Sequence, residues 1–363
     1  MRRFSPLGGN TSCWGQILRH SLRMTSRGGL KEYLQTRIAP VLHRTLQKPL
    51  IGRGDCGYDM CFRENVLPRR WQGVWPQDIV VAFLKVLSMQ HQVIDFHTHA
   101  FPDDLAPSAM RTLLAEAPGI RAHLDGTVGA LLGSMDDAGI AQSVICCIAT
   151  KPQQFDPIVR WCDSIRSTRL IPLPSVHPND PEIVEHIGLI KARGFLGVKM
   201  HPYYQDFYVG DDRMSPFYEE VSRQGLLLVM HTGFDIAFPR DRRADPETLL
   251  RISEAFPQLK LVTTHLGGWQ QWDEVRRHLL GRPIYMEISF AMQDLSLSVV
   301  REMLMNHPEE YLLFGTDSPW TGPKETLQLL EGLELPPSRL DRMLWRNAAD
   351  LLGQASDSPD SGY

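Results

Sequence analysis

From residue 92 onward, short runs of apolar and β-branched residues alternate with longer segments in which apolar residues recur at helical spacing. The short runs are continuously apolar, a pattern typical of strands that are buried on both faces of a parallel sheet. Eight runs predict strands, at 93–96, 143–149, 170–176, 197–200, 226–230, 260–264, 284–288 and 312–315. The chain therefore predicts βα repetition.

The longer segments predict one helix after every strand and a last helix at the end. Several of them begin with Pro in the first turn, where the missing N–H group would have had no partner. The predicted helices are 127–138, 157–167, 181–193, 216–224, 246–256, 272–280, 296–306, 324–332 and 338–352.

Eight βα units in about 265 residues match the size of an α/β protein of the TIM type, the (β/α)8 barrel. A doubly wound open sheet is the alternative. In a barrel, catalytic groups lie at the carboxyl ends of many strands and converge on one axis. The positions of polar residues therefore distinguish the two folds.

Polar residues stand at the carboxyl ends of four predicted strands. The first strand ends with His97 and His99, which lie on the same side of a pleated strand, and strands five, six and eight end with His231, His265 and Asp317. Imidazole and carboxylate bind Zn²⁺ and similar ions, and a catalytic site needs about three protein ligands with one open position. A single such histidine is usually a core or loop residue, but the ensemble predicts a metal-dependent barrel enzyme.

Six segments carry a resemblance to a known family: IDFHTHAF (94–101), GVKMHP (197–202), VMHTG (229–233), VTTHLGG (262–268), LLFGTDSPW (312–320) and RNAADLLG (346–353). Through them the region 93–353 resembles the amidohydrolase superfamily, in the amidohydrolase-related branch that also contains aminocarboxymuconate-semialdehyde decarboxylase. The segments are specific for the superfamily and much less specific for a reaction.

The resemblance implies a role for each strand-end residue. His97, His99 and Asp317 would hold the tightly bound ion, and His231 would be the ligand from strand five. Asp317 would also take a proton from the water that the ion activates. His265 would polarise the substrate or bind a second ion.

Lys199 in GVKMHP bears on the number of ions. Some superfamily members carry a carbamylated lysine at the end of strand four, where it bridges two ions. The alternative is that Lys199 stays an ammonium group and pairs with a carboxylate of the substrate or the protein. We expect one divalent ion, Zn²⁺, per chain; two ions, with Lys199 and His265 as further ligands, are the alternative.

Four further residues lie near strand ends, and three of them have two interpretations each. His177 and His201 either line the pocket or are structural. Glu287 either orients a ligand histidine or forms a salt bridge at the edge of the core. Asp95 points away from the ligands and is expected to support them.

Loops after strands four and five add aromatic and basic residues at the catalytic end: Tyr203, Tyr204, Phe207, Arg240, Arg242 and Arg243. They suit a small, acidic and partly aromatic substrate, with Tyr203 and Arg240 among the residues that bind it. The alternative is that these arginines lie on a solvent-exposed face of the loop and bind no substrate, which fits the sequence equally well.

Three functions are compatible with these residues. We expect hydrolysis of an amide, lactone or ester in a small carboxylate-bearing substrate. Nonoxidative decarboxylation of an aromatic or enoic acid, by a carboxy-lyase, would use the same ligands. A barrel that binds metal without turnover is the third.

Composition and charge limit the class of protein and its partners. With 43% hydrophobic and 22% charged residues in 363, the chain is typical of soluble globular proteins. Its longest apolar runs are far below the roughly 20 residues that cross a membrane. Neither a membrane span nor a nucleic-acid module is predicted; a homo-oligomer is compatible with the sequence.

The first 88 residues differ in charge from the rest. They hold 14 Lys and Arg against 5 Asp and Glu, whereas the remainder holds 24 against 37. A cleaved targeting segment, an accessory region and translation from upstream of a true start at Met89 each explain this extension; we favour the last. The predicted organisation is an irregular, poorly ordered or non-native extension (1–88), a barrel (89–355) and a flexible tail (356–363).

The six cysteines form no CxxC pair and are predicted to be reduced core thiols: Cys13, Cys56, Cys61, Cys146, Cys147 and Cys162. This usage fits a cytoplasmic protein better than a secreted disulfide scaffold.

Overall fold

The computed structural model describes residues 93–354. They belong to the second of the two units into which the chain divides, residues 77–363. The predicted boundary at Met89 and the predicted tail 356–363 lie outside the described residues.

All eight predicted strands are present, and neighbours pair in parallel. β3 stops earlier than predicted because Pro174, which follows it, has no N–H group to donate to a ladder. The strands are β1 (Val93–Thr98), β2 (Ile140–Cys146), β3 (Leu170–Leu173), β4 (Gly197–Met200), β5 (Leu227–Met230), β6 (Lys260–Thr263), β7 (Tyr285–Glu287) and β8 (Leu312–Leu313).

The strands close into a cylinder. Continuous ladders run in the order β1-β2-β3 and β4-β5-β6-β7-β8. Lys199 N–H donates to the Pro174 carbonyl at 2.9 Å and joins β4 to the end of β3. Phe96 N–H donates to the Phe314 carbonyl at 2.9 Å and joins β1 to the end of β8. The (β/α)8 barrel is confirmed, and the doubly wound open sheet is wrong.

Every predicted helix is present within a few residues of its predicted bounds. The helices are α1 (Ala106–Glu116), α2 (Val128–Ala138), α3 (Phe155–Ile165), α4 (Ile183–Ala192), α5 (Ser215–Arg223), α6 (Pro246–Ala255), α7 (Trp272–His278), α8 (Ala291–Asp294), α9 (Leu297–Asn306), α10 (Pro323–Glu331), α11 (Pro337–Asp341) and α12 (Asn347–Leu351). The predicted last helix is divided, since one π-helical turn, Arg342–Arg346, separates α11 from α12.

Two helices, α1 and α8, were not predicted. α1 carries Pro107 in its first turn and buries only Ala106 and Met110. Its outward face is therefore free to border the open end of the barrel. α8 is a single turn and too short to give a periodic signal.

The inside of the barrel is packed with apolar side chains from alternate strand positions, among them Ile94 and Phe96 of β1. Ala348 and Leu351 of α12 belong to the same cluster. The last helix therefore packs against the filled part of the barrel, and the functional side chains lie at the carboxyl ends of the strands. No helix within residues 93–354 is long and apolar enough to cross a bilayer.

Candidate metal centre

His97, His99 and Asp317 are brought together by the seam between β1 and β8. Asp317 N–H donates to the His97 carbonyl at 2.7 Å, and His99 N–H donates to the Ser318 carbonyl at 2.6 Å. Asp317 has a φ of 59°, a left-handed conformation that only a few non-glycine residues adopt. These contacts hold the segment after β8 directly beside the end of β1.

Three donor atoms of these residues converge on one point. His97 Nε2 lies 3.1 Å from His99 Nε2. Asp317 Oδ1 lies 3.1 Å from His99 Nε2 and 3.5 Å from His97 Nε2. Ligands that lie about 2.0 to 2.1 Å from one tetrahedral ion are about 3.3 Å apart, so the spacing suits a single small metal ion.

The hydrogen bonds on the far side of each ring leave the converging nitrogens unprotonated. His99 Nδ1 lies 2.7 Å from the Cys146 carbonyl, which can only accept, so the proton is on Nδ1. His97 Nδ1 lies 3.0 Å from Glu287 Oε1 and donates to that carboxylate. Asp317 Oδ1 is buried and makes no hydrogen bond within the described part of the chain. Two ring nitrogens and one carboxylate oxygen thus face one point, with Lys199 Nζ 3.0 Å from His97 Nε2, and a divalent cation would be held by these three donors.

Burial favours the metal-binding form of His97. Burial, and then the charge of Lys199, hold the pKa of His97 well below its ordinary value. Burial opposes ionisation of Asp317, but the neighbouring His97 and His99 outweigh it and leave the pKa of this carboxyl below its ordinary value. A neutral imidazole and an anionic carboxylate are the forms that ligate Zn²⁺ and similar ions.

Glu287 lies behind the ligands and accepts four hydrogen bonds. Its donors are His97 Nδ1 at 3.0 Å, His265 N–H at 2.9 Å, and Ser289 N–H and Oγ at 2.7 and 2.8 Å. Of the two interpretations of Glu287, the structure shows the hydrogen bond to a predicted ligand histidine, His97. Both oxygens of Glu287 accept hydrogen bonds. A glutamine side chain in this position would place its NH2 group against one of these donors and could not accept that hydrogen bond.

Replacing Glu287 by Gln is expected to weaken metal affinity about 10- to 100-fold, since His97 loses the acceptor that fixes its tautomer. The affinity is measured by competition with a chromogenic chelator, with circular dichroism as the check on folding. Glu302→Gln, on the exposed outer face of α9, is the matched control and should leave the affinity unchanged. Equal affinities in the two variants would contradict this role.

His265 and His231 form a second pair of facing nitrogens. Ser289 Oγ donates to Glu287, so it accepts from His265 Nδ1 at 2.8 Å and leaves His265 Nε2 unprotonated. His231 Nε2 donates to the Phe234 carbonyl at 3.0 Å, which leaves Nδ1 unprotonated. These two nitrogens are 3.2 Å apart, so a proton or a second cation would satisfy them.

By the distances between donor atoms, His231 groups with His201 and Asp235 rather than with His97, His99 and Asp317. Its ring stacks on that of His201 at 4.0 Å, and the Asp235 carboxylate lies 3.4 Å from His201 Nε2 and 3.7 Å from His231 Nε2. Burial is the main cause that lowers the pKa of both imidazoles. His231 as a ligand of the first ion stays a prediction. The sequence analysis missed Asp235, which follows the VMHTG segment closely.

Lys199 and Asp95 lie beside the centre and are both buried. Lys199 Nζ is 3.0 Å from His97 Nε2, next to the three converging donors. Asp95 accepts from the backbone N–H groups of Thr316 and His97 at 3.0 and 3.3 Å, which ties the segment after β8 to β1. Asp95 therefore supports the ligands, whereas carbamylation of Lys199 stays a prediction.

A cavity of about 950 Å³ opens above the centre. Of the remaining predicted pocket residues, His201, Tyr203 and Tyr204 line it. His177 does not; its Nδ1 accepts from Asn179 N–H at 3.1 Å. Phe207 is buried in the core outside the cavity.

The three predicted arginines also lie outside the lining of the cavity and have partners of their own. Arg242 Nη1 donates to Glu274 at 2.7 Å, and Arg243 donates to Asp206 at 2.7 Å and Asp241 at 3.0 Å. Arg240 contacts the amide of Gln270 and lies over the Phe234 ring. Arg240 as a substrate-binding residue stays a prediction.

Comparison with known proteins places this geometry in context. A family model described as amidohydrolase matches residues 94–354. No curated protein matches the chain. Many solved structures do, at low sequence identity, and these show the fold.

An uncharacterised TIM-barrel protein from Bordetella bronchiseptica matches at a TM-score of 0.58 and 19% identity, over 72% of this chain and 99% of that one. A 5-carboxyvanillate decarboxylase from Sphingomonas paucimobilis matches at 0.55 and 16%, over 73% and 99%. A putative 2-pyrone-4,6-dicarboxylic acid hydrolase from Pseudomonas putida matches at 0.53 and 16%, over 74% and 100%.

Proposed function

The chain belongs to the amidohydrolase family, and on that premise we propose that it is a metal-dependent hydrolase that cleaves an amide, lactone or ester of a small molecule. The observation that carries the proposal is Asp317, an anionic carboxylate set against the unprotonated nitrogens of His97 and His99. Such a group accepts protons and does not supply them. Hydrolysis begins with the loss of a proton from water, so it suits this site.

His97, His99 and Asp317 would hold the divalent ion, which would supply Lewis-acid chemistry by lowering the pKa of a water molecule and polarising the carbonyl oxygen of the substrate. Asp317 then takes the proton of the attacking water and returns it to the leaving oxygen or nitrogen. His265 keeps its proton on Nδ1, toward Ser289, and presents Nε2 as a second acceptor.

We propose one Zn²⁺ ion per chain, because two imidazoles and one carboxylate form a donor set typical of that ion. Manganese, which is bound in a solved 5-carboxyvanillate decarboxylase of the same fold, is the alternative. The alternative is a second ion between the facing nitrogens of His231 and His265, with Lys199 as a carbamate.

Nonoxidative decarboxylation is the second candidate. The aromatic walls of the cavity favour it, since they suit a benzoate-like substrate. The fold is also that of solved decarboxylases for 5-carboxyvanillate and 2,6-dihydroxybenzoate. In this reaction a carbon atom must receive a proton, so Asp317 would first have to be protonated.

Metal-loaded protein assayed against lactones, aryl esters, amides and hydroxybenzoates distinguishes the functions. We expect acid release in a pH-stat from an ester or lactone, or release of the free amine from an amide, without release of CO2. CO2 release without a hydrolysis product would contradict our proposal and favour the carboxy-lyase. A protein that retains metal but turns over none of the compounds would favour a binding role.

A further inference from the structure

We propose that the body of the substrate, the part beyond the reacting carbonyl group, is aromatic and carries no negative charge. The inference rests on the proposed function and specifies the substrate class of that site. It departs from the acidic substrate expected from the sequence.

The walls of the cavity provide a surface for an aromatic body. Seven aromatic side chains line it while remaining partly accessible: Phe101, Trp161, Tyr204, Phe238, Trp269, Phe290 and Trp320. Partly exposed aromatic rings that converge on one cavity indicate a ligand site, because such a ligand removes their apolar area from water. A volume of about 950 Å³ leaves room for a ring system beyond the reacting group.

Within residues 93–354, no Lys or Arg lines the outer part of the cavity, where the body of a substrate would lie. Lys199 is the only Lys or Arg among the described residues that line the cavity. Its Nζ lies at the deep end, 3.0 Å from His97 Nε2, where the reacting carbonyl would be. Arg242 and Arg243, on the loop after β5, lie outside the lining and are paired with Glu274 and Asp206. A carboxylate on the far part of a substrate would therefore lose water without gaining a partner.

The acidic residues of the cavity strengthen this selection. Glu116, the last residue of α1, and Asp235, on the loop after β5, both belong to the lining. Asp235 is largely buried between the loop and the imidazoles of His201 and His231, whereas Glu116 is exposed. Like charges in a partly desolvated cavity repel, so these carboxylates disfavour an anionic substrate body.

A matched pair of aryl esters tests the inference. The two esters share one acyl group and carry either a carboxamide or a carboxylate on the aryl ring, and each enzymatic rate is divided by the rate of alkaline hydrolysis. We expect the normalised kcat/KM to be about tenfold or more higher for the carboxamide, the order that one like charge in such a cavity produces. Equal values, or a preference for the carboxylate, would overturn the inference.

Two variants locate the source of the selection. Glu116→Gln should reduce the preference for the carboxamide ester, because one like charge is removed. Glu185→Gln, on the exposed face of α4, is the matched control and should preserve it. A full preference in the Glu116 variant together with a lost preference in the control would contradict the proposed cause.

A binding measurement keeps the inference testable if no ester is hydrolysed. Isothermal titration of the metal-loaded protein uses two aryl methyl ketones, again with a carboxamide or a carboxylate on the ring. Tighter binding of the carboxamide supports the inference even if the proposed hydrolysis fails. Tighter binding of the carboxylate overturns it even if hydrolysis is observed.

Discussion

Replacing His97 and His99 together by Ala is expected to release the metal ion and to reduce kcat/KM at least about 1,000-fold. Two of the three converging donors disappear, and a lone carboxylate does not hold a divalent ion at neutral pH. The loss of the ion removes several kcal/mol of stabilisation from the transition state, which corresponds to about three orders of magnitude in rate.

Elemental analysis of the dialysed protein measures this directly. Wild type should hold about one divalent ion per chain, and the double variant should hold almost none while keeping its circular dichroism spectrum. His278→Ala, at the end of α7 and outside the cavity lining, is the control and should keep its ion. A full complement of metal in the double variant would show that the ion lies elsewhere.

The same measurement tests the number of ions. Two ions per chain that depend on bicarbonate, and that fall to one in Lys199→Met, would contradict the single-ion arrangement. The site would then comprise the pair His231 and His265 as well, with Lys199 as a carbamate. One ion in both proteins supports an ammonium group at Lys199.

The barrel could be predicted because each of its strands and helices is indicated by a short, continuous segment of the sequence. A strand buried on both faces needs a continuous apolar run, and a helix on the outside needs an amphipathic one, so each βα unit carries its own signal. The carboxyl ends of parallel strands meet at one end of a barrel. His97, His99 and Asp317 could therefore be placed together although they are far apart in the chain.

Features that depend on side-chain orientation could not be predicted in the same way. The ring of His231 is turned by its hydrogen bond to the Phe234 carbonyl, so it faces His265 and His201 and not the first three donors. Pattern and spacing contain no information on which nitrogen carries the proton. Asp235 belongs to this group only because of that rotation.

Arg242 and Arg243 also show that the sequence predicts which residues lie near the site but not which contacts they make. Arg242 and Arg243 lie near the catalytic end, as their position after β5 predicts. Their partners, Glu274 and Asp206, come from other loops and helices, and among residues 93–354 no arginine lines the cavity. Charge near a site is therefore visible in the sequence, but the sign of the charge inside the cavity depends on long-range pairing.

Replacing Asp317 by Asn is expected to reduce kcat about 1,000-fold or more, with metal content restored when the ion is in excess. The amide oxygen of Asn can still face the ion together with His97 and His99, so the variant keeps a site of lower affinity. It has no charge with which to take a proton from water, and the loss of general-base catalysis is worth about 100- to 10,000-fold. The assay therefore measures kcat and bound metal in the same samples over a titration with Zn²⁺.

The titration separates the two roles of Asp317. If the carboxylate served only to hold the ion, saturation with metal would restore turnover to the level of the control Asp273→Asn, whose side chain is exposed on α7. A variant that is saturated with metal but still slow requires a second role for the carboxylate. Because Asp317 Oδ1 is buried without a hydrogen bond and faces two unprotonated nitrogens, we expect the second result: occupancy recovers and catalysis does not.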